Sequence, residues 1–403
     1  MNINKIIKKT KKSKYIQYCL KLLFYIVGKI PSRKNTIIFE SFFGKQYSDN
    51  PKAIYEYIKK EYPDYKLYWS IDRNYYSNFK HQNLNYAFRF SFKWIFLMAT
   101  SRYWVVNCRL PLWIPKPRDT IYIQTWHGTP LKKLGIDIEE VRMPGTDTVT
   151  YKKNFLYESN KWDYLISANS YSTEIFKRSF GFDNTVLESG YPRNDFLYTH
   201  NNKQNIEEIK SKLNLPKGKK VILYAPTWRD NDYYGKGKYK FSLKLDLNTL
   251  KKELGDEYIV LLRMHYLVAE NFELNEFKGF VYELSTYNDI NELYLISDVL
   301  ITDYSSVFFD YANLQRPILF FTYDIEEYRE ELRGFYFDLE KQAPGPLLEN
   351  NEQIRKYLKR ISEGSYQLPS SFKVFYNKYC YLEDGGATKR VVTNLLDQKD
   401  NHS

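Results

Sequence analysis

The chain has 403 residues, 43% of them hydrophobic and 18% aromatic, which is enough apolar surface to close a core and excludes a disordered chain. Its 60 Lys and Arg outnumber 48 Asp and Glu, and the net charge of +12 suits an anionic membrane, an anionic substrate or nucleic acid. No zinc-finger, homeodomain or aromatic RNA-binding pattern accompanies that charge, so no nucleic-acid partner is expected, and the widely spaced Cys19, Cys108 and Cys380 exclude a disulfide framework or a structural zinc site.

Residues 1–30 open with Lys5, Lys8, Lys9, Lys11, Lys12 and Lys14, followed by a mixed apolar stretch from Tyr15 to Ile30. The apolar core Leu22–Val27 is confined by Lys21 and Lys29 and lacks a small-residue cleavage site, so it is not a signal peptide. It is also shorter than the roughly 20 apolar residues of a spanning helix. The pattern predicts a basic amphipathic arm lying on an anionic leaflet, with a solvated tail plus one core-packing helix as the alternative.

Short apolar runs then alternate with helical patterns. Strands are predicted at 35–40, 66–71, 102–107, 120–124 and 163–168, and again at 220–224, 258–263, 298–302 and 317–321. Runs such as Val221-Ile222-Leu223 and Val299-Leu300-Ile301 read as parallel strands covered on both faces. Helical patterns fall between them, for example 51–60 and 288–296, so the fold class is α/β. The polar stretch 200–220 reads as the boundary between a domain at 31–205 and another at 206–403, two nucleotide-binding-type folds facing a central cleft. Ligands of such sheets gather at the carboxyl ends of the strands.

Chemistry-bearing residues fall at those ends. His127 follows the strand at 120–124 in Gln124-Thr125-Trp126-His127-Gly128-Thr129-Pro130, with Lys132 and Lys133 beyond the turn. His265 ends Leu262-Arg263-Met264-His265. A lone histidine after a strand is usually structural; two of the chain's five, one per predicted domain, point to function. In Asp303-Tyr304-Ser305-Ser306 a buried strand turns into a helix whose first turn is expected to hold both serines, a pocket for a pyrophosphate, although Asp303 or Ser305 could simply cap the helix. Pro226, Thr227 and Arg229 follow the strand at 220–224 in a loop suited to a nucleotide, with Arg229 able to pair with phosphate. The role of the proline-rich segment 334–346 is open. The sequence contains no P-loop, GxGxxG, HExxH or GxSxG, and nothing in it demands a metal or a cofactor.

These stretches, QTWHGTPLKKLG (124–135), SGYPRND (189–195), YAPTWRD (224–230), LLRMH (261–265), SDVLITDYSSVFFDYANLQRPILFF (297–321) and DGGATKR (384–390), resemble the CDP-glycerol glycerophosphotransferases of teichoic acid biosynthesis. FESFFGKQYSDNPKAIYEYI (39–58) resembles the family's first strand and its glycine-containing loop, which brings in Gly44 beside Gly128 and Thr129 on the acceptor side. The resemblance covers nearly everything after residue 35. It implies a GT-B-like enzyme of two Rossmann-like domains that binds its donor mainly in the C-terminal one. It further implies His127 as general base and His265 at the donor diphosphate. Ser305, Ser306, Pro226, Thr227, Arg229 and Arg263 line the donor, and Asp303 positions the turn or the donor polyol.

The implied partners are CDP-glycerol or CDP-ribitol, an undecaprenyl-diphosphate-linked acceptor and the anionic cytoplasmic face of the cell membrane, where the enzyme would sit peripherally. The long extra N-terminal region of some family polymerases is missing, so a minimal catalytic unit is expected, acting as primase, extension enzyme or short polymerase. Alternatives of other classes are a sugar-nucleotide glycosyltransferase and a non-catalytic binder of membrane or polymer.

Overall fold

The computed structural model describes residues 14–141, 145–227, 233–235, 238–239, 243–264, 274–327 and 334–397. The chain forms two compact units. The first runs to His127, resumes over Gly135–Arg193 and takes back the chain from Gly386; the second comprises Gly128–Leu134 and Asn194–Gly385.

In the first unit seven strands, β1 (Arg33–Glu40), β2 (Lys66–Ile71), β3 (Tyr86–Phe88), β4 (Ser101–Val106), β5 (Ile121–Gln124), β6 (Tyr164–Ser167) and β7 (Thr185–Glu188), pair in the order 3-2-1-4-5-6-7. Every neighbouring pair is parallel. Parallel pairing requires crossovers, and helices such as Asp49–Glu61 and Ser170–Phe180 supply them. The core on one face gathers Phe39, Trp69, Ile123 and Ile166 of the strands with Ile54 and Ile58 of the helix Asp49–Glu61.

The strands of the second unit begin with β8 (Lys220–Ala225), followed by a short antiparallel hairpin of β9 (Tyr233–Gly235) and β10 (Lys238–Tyr239). Then come β11 (Tyr258–Leu262), β12 (Val281–Glu283), β13 (Val299–Thr302), β14 (Ile318–Phe321) and β15 (Leu347–Leu348). Its sheet has the order 12-11-8-13-14-15, again all parallel. The strands β11, β13 and β14 are buried at every residue, as continuous apolar runs covered on both faces must be.

Counted from the first strand of each unit, both sheets share the order 3-2-1-4-5-6, the doubly wound arrangement that leaves a crevice where the strand order reverses. That reversal lies between β1 and β4 in one unit and between β8 and β13 in the other.

The domain boundary differs from the expected 205/206. The helix Lys203–Lys212, inside the polar stretch, packs on the helix Ile290–Ile296 of the second unit, with Ile209 buried and Lys212 paired to Glu292 at 3.1 Å. The chain therefore changes unit earlier, between Arg193 and Asn194. The other departure is the last helix, Ala387–Leu396. Its Val391, Val392, Leu395 and Leu396 enter the core of the first unit beside Ile54 and Tyr55, so the segment after Gly386 does not belong with residues 206–385. Burying each such side chain contributes about 1.5–3 kcal/mol, enough to hold the helix there.

Of the N-terminal arm, residues 1–13 lie outside the described residues. The helix Lys14–Val27 follows, packed on the helix Phe92–Thr100, with Phe24 buried edge-on against Trp104 at 6.3 Å. Its Tyr15, Tyr18, Leu22, Tyr25 and Ile26 are exposed. Among the described residues no helix is long and apolar enough to cross a membrane.

Candidate active site

In the first unit the carboxyl ends of β1, β4, β5 and β7 converge on His127. Phe42, Phe43, Asp49 and Trp126 account for four of the seven non-glycine residues with positive φ among the described residues. Each such conformation costs on the order of 1–3 kcal/mol, so their concentration at one sheet end marks a site whose shape is held against local preference. At Trp126 (φ 50°) the left-handed residue turns the chain sharply out of β5. Packing and a hydrogen bond anchor the turn: the Trp126 ring lies 4.6 Å from Phe180, and the Trp126 backbone N–H donates to Gln124 Oε1 at 3.0 Å.

The His127 ring stacks on Trp126 at 4.6 Å and faces Phe42 at 5.9 Å. His127 Nδ1 lies 2.7 Å from the carbonyl oxygen of Asn107, which follows β4. A carbonyl only accepts, so Nδ1 carries the hydrogen, and in the neutral ring Nε2 is left with its lone pair. Burial is the largest influence on this imidazole and pushes its pKa below the ordinary value of 6.5. The Asn107 carbonyl and Asp49 oppose that shift, and Arg193 reinforces it. The residue is nevertheless exposed to solvent, and that exposure opposes the desolvation. The sequence places Lys132 and Lys133 beside the histidine; within the first unit the positive charge acting on it is Arg193 instead.

Behind the ring lies a network that sequence reasoning did not assign. Asp49 Oδ1 accepts from Arg193 Nη1 and from the Asn50 backbone N–H, both at 2.7 Å, and Asp49 Oδ2 accepts from Asn107 Nδ2 at 2.7 Å. Asn107 Oδ1 accepts the Phe42 N–H at 2.8 Å. Asn50 Nδ2 donates to the carbonyls of Thr125 and Trp126 at 3.3 and 3.2 Å. Both side chains of the ion pair are buried, and a buried pair is tolerated when its remaining valences are satisfied in this way. The signal for Asp49, Asn50 and Arg193 was present in the motif stretches 39–58 and 189–195, and Asn107 closes the strand expected at 102–107, but a polar residue does not by itself reveal its partner.

Gly44 ends the loop after β1 at φ 76°, where a Cβ would meet Asp72 N at 2.8 Å and Ser70 O at 2.9 Å. Only glycine fits, and its carbonyl accepts the Asp72 N–H at 2.8 Å, tying the ends of β1 and β2 together. Beside it, Arg89 pairs with the buried Glu40 at 2.9 Å.

In the second unit the crevice between β8 and β13 is organised by Asp303. This residue is 3% exposed, and its Oδ1 accepts the backbone N–H groups of Thr227 and Tyr304, each at 2.7 Å. Thr302 Oγ1 adds a bond to the Ala225 carbonyl at 2.7 Å. Pro226, Thr227, Ser305 and Ser306 are half-buried around this tie. The helix begins later than expected: it spans Val307–Tyr311 with Ser306 as its N-cap residue and Ser305 ahead of it, because the Asp303–Tyr304 contact closes a turn first. Gly128 lies against Ser306, whose Oγ a Cβ at Gly128 would approach to 3.0 Å.

Thr129 is buried, and the residues after it pair with the proline-rich segment: Lys133 N–H donates to the Gly334 carbonyl and Tyr336 N–H to the Leu131 carbonyl, each at 2.9 Å. One motif thus supplies His127 to the first unit and Gly128 and Thr129 to the second.

Arg263, at the end of β11, donates through Nη1 to the carbonyls of Leu284 (2.6 Å) and Tyr287, so it braces the loop after β12. Arg229 and His265 lie outside the described residues. Among the described residues no group of three or more His, Cys, Asp or Glu side chains could hold a metal ion.

The family profile described as CDP-Glycerol:Poly(glycerophosphate) glycerophosphotransferase matches residues 22–397. The chain is 59% identical over 395 residues to the teichoic acid poly(glycerol phosphate) polymerase of Bacillus subtilis (strain 168), covering 98% of this chain and 53% of that protein. It spans about half the length of that relative. It is 47% identical to the teichoic acid glycerol-phosphate transferase of Staphylococcus aureus (strain NCTC 8325 / PS 47), covering 95% of this chain and 98% of that one. Identity falls to 31% with the teichoic acid poly(ribitol-phosphate) polymerase of Bacillus spizizenii (strain ATCC 23059 / NRRL B-14472 / W23), over 91% of this chain and 57% of that one. The solved structure of the wall teichoic acid polymerase TagF superposes with a TM-score of 0.88 at 43% identity, covering 100% of both chains.

Proposed function

The chain belongs to the CDP-glycerol:poly(glycerophosphate) glycerophosphotransferase family, and from that premise we propose that it transfers glycerol phosphate from CDP-glycerol to a hydroxyl of a lipid-linked teichoic acid precursor or growing chain, releasing CMP. The observation that carries this reading is the 2.7 Å contact between His127 Nδ1 and the Asn107 carbonyl. It commits Nδ1 as donor and keeps Nε2 as a proton acceptor at the end of β5. The depressed pKa favours the neutral, basic form near pH 7.

In the proposed step the acceptor hydroxyl gives its proton to His127 Nε2 while its oxygen attacks the β-phosphorus of the donor. The phosphorus–oxygen bond to CMP breaks, and the leaving phosphate is stabilised by hydrogen-bond donors. For that role the reading assigns Ser305, Ser306 and Thr227 around the Asp303 tie, together with Arg229 and His265. Arg263 is assigned a bracing role, given its bonds to Leu284 and Tyr287. Glycerol is favoured over ribitol as donor polyol by the drop in identity from 59% to 31% between the two kinds of polymerase. The two units, each a parallel sheet of 3-2-1-4-5-6 order, are read as the halves of a GT-B-like enzyme.

The acceptor is read as undecaprenyl-diphosphate-linked, and the enzyme as peripheral on the anionic cytoplasmic face of the cell membrane. The exposed Tyr18, Leu22, Tyr25 and Ile26 on a helix that follows a lysine-rich stretch support this placement.

The test is CMP release from purified protein offered CDP-glycerol, CDP-ribitol or a UDP-sugar, each with an unprimed or a glycerol-phosphate-primed lipid acceptor. Release with CDP-glycerol and one acceptor is expected, and the length of the product separates a polymerase from an enzyme of single addition. Turnover of a sugar nucleotide without turnover of either CDP-polyol overturns the reading.

A further inference from the structure

We propose that the buried Asp49–Arg193 pair is a positioning device for His127, acting through Asn107, which it holds so that the Asn107 carbonyl selects the Nδ1–H tautomer and aims Nε2 at the substrate. The inference rests on the reading of His127 as the base.

Each contact in the chain of residues has only one possible polarity. Asp49 Oδ2 can only accept, so the Asn107 group facing it at 2.7 Å is the amide NH2. The Phe42 N–H can only donate, so the group facing it at 2.8 Å is the Asn107 amide oxygen. The Asn107 side chain is therefore locked at both ends, and its backbone carbonyl, 2.7 Å from His127 Nδ1, is fixed with it. Asp49 is itself held by Arg193 Nη1 and the Asn50 N–H. The Arg193 guanidinium in turn stacks on the Tyr191 ring at 4.6 Å. The carboxyl end of the chain closes the other side of this turn: Arg390 donates to the Ser189 carbonyl at 3.0 Å through Nε and 2.9 Å through Nη2, and Thr388 Oγ1 donates to the Pro192 carbonyl at 3.2 Å.

The arrangement also balances charge. The charged groups acting on His127 are Asp49, at the start of the helix Asp49–Glu61, and Arg193, from the turn after β7; Phe42 and Trp126, which flank the ring, are neutral. Asp49 favours the imidazolium and Arg193 disfavours it, so the two members of the pair act on the ring with opposite sign.

The test uses the full chain with 15N-labelled histidine, reading the His127 ring shifts by difference from His127→Gln, alongside the pH profile of kcat/KM. Asp49→Asn is the conservative probe because asparagine tolerates the positive φ of 66° at this position. It leaves Arg193 uncompensated, so the His127 titration and the acid limb of the profile should move to lower pH. Arg193→Met should move both to higher pH, and the double variant should return them toward the parent. Asn107→Ala should mix the two neutral tautomers and lower kcat by about 10- to 100-fold, the usual effect of removing the partner that orients a working side chain, with donor KM little changed.

Shifts of the same sign in the two single variants, or an unmixed Nδ1–H tautomer in Asn107→Ala, overturn the proposal. Should Asn107→Ala melt below assay temperature, the tautomer is read in Asp49→Asn and Arg193→Met instead, where mixing of the two neutral forms is expected and an unmixed Nδ1–H tautomer overturns the proposal. If the shifts appear as expected but His127→Gln retains full turnover, the positioning relay stands and the assignment of His127 as base is what fails.

Discussion

Asp303 accepts the backbone N–H of Thr227 at 2.7 Å, across the crevice between β13 and β8, with the same oxygen that accepts the Tyr304 N–H. Two loops that approach the proposed donor are thereby set by one carboxylate. Asp303→Ala leaves both N–H groups without this acceptor, at about 1–3 kcal/mol for each buried unpaired group. The expected result is a lower melting temperature and a raised KM for CDP-glycerol, with kcat at saturating donor less affected. An unchanged donor KM in a folded variant would assign Asp303 to stability alone.

His127→Ala should lower kcat by about 10²- to 10⁴-fold, the usual contribution of a general base, while donor binding measured by calorimetry stays near normal. Near-normal turnover would remove His127 from the mechanism.

The direction of the His127 shift also predicts a pH dependence. Its folded pKa lies below 6.5, so the unfolded chain takes up the proton first as pH falls. The stability tied to this group is complete above about pH 6.5 and is lost as pH drops through the folded value. Melting curves between about pH 7 and 5 should therefore show a smaller loss for His127→Gln than for the parent.

Gly128→Ala would place a methyl group 3.0 Å from Ser306 Oγ and push that hydroxyl aside. A raised donor KM is expected. Removing the hydroxyl in Gly128→Ala/Ser306→Ala relieves the crowding, since the next atom, Ser306 Cβ, is 3.7 Å away. Recovery of KM in the double variant would mean the hydroxyl itself is dispensable; continued loss is expected if it contacts the donor.

On the helix Lys14–Val27, the triple change Leu22→Ser, Tyr25→Ser and Ile26→Ser alters exposed positions and spares the buried Phe24. Co-sedimentation with vesicles containing anionic lipid should fall by roughly four-fold for each inserted methylene lost, at about 0.8 kcal/mol apiece, while transfer to a soluble acceptor analogue persists. Unaltered sedimentation would reject the membrane role of this face. Deleting residues 1–30 is the poorer experiment, because it also removes Phe24 from its contact with Trp104.

The nine strands expected from apolar runs all occur, within two residues at either end, as β1, β2, β4, β5, β6, β8, β11, β13 and β14. The two sheets have four further strands, β3, β7, β12 and β15, and these are the four sheet edges. An edge strand is covered on one side only and can be as short as Leu347–Leu348, so it lacks the continuous apolar run that marks a central strand. The site divides in the same way. His127, Asp303, Ser305 and Ser306 stand out because such residue types directly after a strand suggest chemistry. Asp49 and Arg193 look like ordinary loop residues, and Asn107 like the end of a strand, until the sheet brings positions 107 and 193 within hydrogen-bonding distance of position 49. The domain boundary was misplaced because polar composition describes solvent exposure, whereas unit membership is decided by packing such as that between Lys212 and Glu292.

The return of the helix Ala387–Leu396 to the first unit has a consequence for the order in which the protein is made. Val391, Val392, Leu395 and Leu396 complete a core whose other members were synthesised before the whole of Asn194–Gly385. At about 5–20 residues per second the first unit waits roughly ten to forty seconds on the ribosome, with the apolar face of the helix Asp49–Glu61 uncovered. Arg390 and Thr388 arrive at the same late moment and lock the turn that carries Arg193. The turn that carries Arg193 is therefore braced from this side only after the whole of Asn194–Gly385 has been made.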